Sequence, residues 1–96
     1  MSNALRDKLK SEVMATDFAA LGPHFARGAL ILVAVDVDLL DVAECVARDQ
    51  RARVEAWLKA QHIWRASDAD AQAAVAGAER FQFVIVQPWV LAQKLA

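Results

Sequence analysis

Arg48, Arg51, Arg53, Lys59 and Arg65 fall close together in the chain, with Gln50 among the first of them. Side chains of these types suit one kind of chemistry: cations meet phosphate oxygens, and an amide or guanidinium pairs in bidentate fashion with a purine edge. On that basis Arg48, Gln50, Arg51, Arg53 and Lys59 are candidate nucleic-acid contacts. Against it, Asp49 and Glu55 are interleaved with the cations, and Ala52 and Ala56 offer a base no hydrogen-bonding group. An ordinary solvated helix face accounts for the same residues. A second set, Asp36, Asp38, Asp41 and Glu44, supplies the oxygen ligands that a hard cation takes, but without the spacing or central glycine of a calcium loop. Helix capping explains it, since carboxylates at a helix start are favoured by the macrodipole.

Nothing else assembles a reaction. Cys45 lies in an apolar stretch where a thiol is a small core side chain rather than a nucleophile. His24 and His62 are suitable general bases in type, yet no spacing joins them and each sits at the end of an expected helix. Gly22, Gly28 and Gly77 are isolated, so no glycine-rich loop cradles a phosphate. The expectation is therefore no enzyme, no cofactor and no metal.

The elements that must carry these residues belong to a chain of 96 residues, 57% hydrophobic and 24% charged, which suits one domain spanning residues 1–96. A formal net charge of -1 excludes a strongly basic nucleic-acid binder by bulk charge and leaves only a local basic face. A single cysteine and the lack of a signal-peptide pattern point to the cytoplasm. The longest apolar run, Ala29 to Val35, is far shorter than the roughly 20 residues that span a bilayer, so no membrane is expected.

Ser2 or Asn3 caps a first helix striped by Leu5, Leu9 and Val13. Thr16 and Asp17 start a second, which Gly22 and Pro23 bend or interrupt before it ends near Arg27. Ala29 to Val35 reads as a central strand covered on both faces. Asp38, boxed with Asp41, starts a helix near Leu39; Asp49 and Gln50 turn the chain; a further helix from Arg51 to about Ala60 buries Val54, Trp57 and Leu58. Ile63 to Ala66 is a short strand, Ser67 with Asp70 boxes an Ala-rich helix, and FQFVIVQ is the last strand, with Phe81, Phe83 and Ile85 on one face and Val84 and Val86 on the other. The segment from Trp89 packs as a tail.

Helix, strand, helix, turn, helix, strand and strand, with DLLDVAECVARDQRARVEAWLKAQHIWRA at the centre, resembles a winged helix-turn-helix. The fold class expected is α+β: a winged-helix-like domain with an extra N-terminal helix, a small three-stranded sheet and a helical insertion in the wing. LRDKL, HFARG, DLLDVAECVARD, VEAWLKA and PWVLAQ, taken in that order, also resemble a family of small uncharacterised bacterial proteins. That resemblance implies a bacterial origin and one domain, and brings no catalytic residue with it. Three tryptophans and four phenylalanines are a large aromatic share for so short a chain. Trp57 suits the core, while Trp64 and Trp89, at strand ends, are candidate interface residues. The function expected is an interaction module that binds a protein partner or forms a homodimer. The alternative is a DNA-binding regulator that reads with the second helix of the motif.

Overall fold

Apolar residues alternate along four of the five strands so that these strands serve two cores. The computed structural model describes residues 3–95. It holds β1 (Met14–Asp17), β2 (Leu30–Val33), β3 (Ile63–Arg65), β4 (Arg80–Val86) and β5 (Trp89–Lys94) in one sheet of order β1-β4-β5-β2-β3. β2 and β5 are parallel and the other neighbours antiparallel. On one face Val33, Val84, Val86 and Leu91 pack against α1 (Ala4–Glu12), α3 (Leu39–Ala47) and α4 (Arg51–Lys59). On the other, Leu30, Leu32, Phe81, Val90 and Ala92 pack against α2 (Phe18–Ala26) and α5 (Asp68–Ala76). Each fully buried leucine or valine contributes about 1.5–3 kcal/mol by leaving water. Among the described residues no helix is long and apolar enough to cross a membrane.

Local chemistry sets the helix ends. Asn3, Asp17, Asp38 and Ser67 each accept a backbone N–H of the first turn that follows, which satisfies a donor the helix itself leaves open. Ser67 and Asp70 form the reciprocal box expected of them, whereas Asp41 turns away from Asp38 to meet Arg6. Ser2, the other cap expected for α1, lies outside the described residues. α2, α3, α4 and α5 close in the same manner: the residue after the C-cap takes a left-handed φ, at Gly28, Asp49, Gln61 and Ala78. The next N–H then reaches back to His24, Cys45, Trp57 and Ala74 respectively.

The α+β class holds, and the sheet corrects the finer expectation in three ways. It has five strands rather than three. β1 replaces part of what reads as the tail of the first helix, and the supposed C-terminal tail is β5, the middle strand. β3 and β4, which a wing would pair as a hairpin, are not neighbours: β3 pairs only with β2, and β4 lies between β1 and β5. The helix between them, α5, is thus a crossover on the second face and not an insertion at a wing tip. The run at Ala29 to Val35 does hold an interior strand covered on both faces, although β5 takes the centre. α2 also runs unbroken through Gly22 and Pro23.

Candidate functional site

α4 starts without a side-chain cap, because Gln50 is otherwise engaged. Its N–H donates to the Cys45 carbonyl at 2.9 Å and its Oε1 accepts from the Cys45 thiol at 3.1 Å. Asp49, at φ 55°, lets the chain reverse there. The helix that follows buries none of its residues; Val54 and Trp57 are half-buried and Leu58 is 44% exposed. The expectation that all three are buried is corrected: Val54 and Trp57 are only part-covered by the first core, and Val54 and Leu58 border an open groove of about 700 Å³. Ile31, Ile63, Trp89 and Leu91 of the sheet line its floor, and Val46, Val54 and Leu58 its helical wall.

Four charged side chains line this groove: Asp49, Arg51, Glu55 and Arg65. Arg51 Nε donates to Asp49 Oδ1 at 3.2 Å, with both side chains at least three-quarters exposed, so the pair neutralises charge and adds little stability. The Arg65 guanidinium sits 5.8 Å from the centre of the Trp89 ring, an attraction of cation for ring quadrupole. Among the described residues neither Glu55 nor Arg65 has an ion-pair partner.

The candidate nucleic-acid contacts do not converge. At about 100° per residue, Arg51 and Arg53 project roughly 160° apart around α4. Arg51 accordingly lines the groove, while Arg53 lies over the Trp57 ring at 4.9 Å. Arg48 is exposed beyond the end of α3, Lys59 occupies the last turn of α4, and Gln50 is held by Cys45. The two candidate interface tryptophans also separate. Trp89 lines the groove, whereas Trp64 packs with the α2 and α5 core on the opposite face and donates its indole N–H to Asp70 Oδ2 at 3.1 Å. Burial raises the Asp70 pKa, but the Ser67 N–H and hydroxyl, the Trp64 indole and the charge of Lys94 together outweigh it and hold the carboxyl below its usual value.

A family model described as a protein of unknown function, DUF2288, matches residues 4–94. The chain belongs to the DUF2288 family. It is also similar to PA1075 from Pseudomonas aeruginosa, whose solution structure by NMR is 35% identical in sequence and superposes with a TM-score of 0.86, over 100% of this chain and 89% of that one. No curated protein matches the sequence.

In this DUF2288 chain the acidic set has a structural partner that its sequence does not announce. Arg6, on an ordinary polar face of α1, reaches Asp38 at 3.0 Å, Asp41 at 2.8 Å and Glu44 at 3.0 Å. Its guanidinium stands where a cation would, ties α1 to α3, and is held more firmly protonated, chiefly by the Asp41 hydrogen bond. Among the described residues no group of three His, Cys, Asp or Glu side chains is placed to hold a metal ion. His24 lies on α2, beside the Arg27 guanidinium, and His62 follows α4 on the other face of the sheet. The groove has no contiguous signature in the sequence. Val54 with Leu58 and Arg51 with Glu55, each four apart, are the available signal for its helical wall. The floor arises only from strand register, which sets Ile31 beside both Leu91 and Arg65.

Proposed function

We propose that this DUF2288 chain is a binding module without catalytic machinery, and that the groove beside α4 is where it takes a protein partner. One observation carries this: α4 buries no residue, and Val54 and Leu58 on its inner side line an open, largely apolar groove. A helix so short is marginal in water and owes its stability to packing of its apolar face. A partner that fills the groove supplies packing the chain lacks. The lone buried cysteine suits a reducing compartment, and we place the module in the cytoplasm. Duplex reading is less well supported, because it needs Gln50, Arg51 and Arg53 on one surface.

A photoreactive amino acid placed at position 58 in the groove wall, and in a control at exposed Ala69 on α5, tests the proposal inside the cell. Protein adducts from position 58 and none from position 69 are expected. No adduct at 58, or equal yields at both, overturns it.

A further inference from the structure

We infer that the groove is filled by a second copy of this chain, across a two-fold axis that sets Glu55 of each copy against Arg65 of the other. This rests on the groove being the binding surface. The observation behind it is the charge left over on the groove walls. Arg51 and Asp49 satisfy each other, which leaves one anion on the helical wall, Glu55, and one cation on the edge strand, Arg65 held over Trp89. An acidic ligand would meet Glu55, and a basic one Arg65. An isologous partner presents both charges in exchanged positions, so that each unpaired group finds its opposite in two symmetric pairs. Leu58, one turn on from Glu55 along the same wall and 44% exposed, then enters the partner's groove as an apolar anchor.

Sedimentation equilibrium of the purified full chain, from micromolar to millimolar concentration, tests the pairing. The expected result is a monomer–dimer equilibrium. Glu55→Arg and Arg65→Glu each weaken dimerisation about tenfold or more, as two pairs are turned to like-charge repulsion, and the double swap restores it. Leu58→Asp abolishes the dimer while circular dichroism and melting show a folded monomer. A monomer at every concentration overturns the inference, as do single swaps without effect or a double swap that fails to recover. Position-58 adducts to other proteins, with a purified chain that stays monomeric, would remove self-pairing and keep the groove as a binding surface. Loss of those adducts as well would remove both.

Discussion

Gln93 is 6% exposed on the central strand β5, and every polar atom of its side chain is used. Nε2 donates to the carbonyls of Ala34 at 2.7 Å and Val37 at 2.6 Å, while Oε1 accepts from Gln82 Nε2 at 2.7 Å. These bonds fasten the loop between β2 and α3 to the sheet. In Gln93→Met the volume is nearly kept and the bonds are lost. The Ala34 carbonyl retains the Val37 N–H at 3.1 Å, and half-buried Gln82 can turn to water. The Val37 carbonyl has no second donor among the described residues. Three hydrogen bonds at about 1 kcal/mol each give a cost of about 3 kcal/mol. For a chain of this size, total stability is about 5–14 kcal/mol, so the loss is a large share. Urea unfolding followed by tryptophan fluorescence is the assay. With a slope of about 2 kcal/mol per molar, the midpoint falls by about 1.5 M at unchanged slope. Gln72→Met, on the exposed side of α5, stays within about 0.5 kcal/mol of wild type. A Gln93→Met midpoint within about 0.3 M of wild type would refute the role given to these bonds.

Ala78 ends α5 at φ 50°, a left-handed conformation that costs a residue with a Cβ about 1–2 kcal/mol. Ala78→Gly removes that strain and gives back part of it as added freedom of the unfolded chain, so the melting temperature should rise by about 4 °C; a fall would show that the strain is not there. The Asp70 pKa lies below its usual value in the folded chain, so its contribution to stability is present above about pH 4 and is lost as the pH falls through the folded value. Asp70→Asn should therefore be less stable at neutral pH and show a flatter acid limb below about pH 4, read from melts across a pH series; parallel curves for the two proteins would refute this.

What was legible in the sequence was local. Caps at Asn3, Asp17, Asp38 and Ser67 needed only a side-chain oxygen two or three residues before a free N–H, and the alternation of Phe81 to Val86 directly predicts a strand with two packed faces. β1 and β5 were not local. Met14 to Asp17 carries little strand chemistry and is largely exposed; it is a strand because it lies along Phe83 to Arg80 of β4. Trp89 to Lys94 has an apolar run too short for periodicity to separate helix from strand. Its parallel register, Leu30 to Val90 through Val33 to Gln93, depends on a strand from the first half of the chain. With β1 on one edge of β4 and β5 on the other, β4 has no edge left for β3, and the hairpin on which a winged layout depends does not form.

Proximity along a chain also differs from proximity on a surface, and this decides how its charges are used. The basic residues at positions 48 to 65 are close in sequence, yet α4 turns Arg51 and Arg53 to opposite sides, and each finds a different neighbour, Asp49 and Trp57. The acidic residues from Asp38 to Glu44 do share a face, since they recur every three residues, and the cation they share comes from α1. Arg6 could not be assigned to them without knowing that α1 packs on α3. Once these pairs are formed, the groove is left with Glu55 on a helix and Arg65 on an edge strand, two charges without an ion-pair partner among the described residues. Glu55, which in the sequence argues against binding a polyanion, is in the folded chain the reason to look for a partner that carries an arginine in the matching place.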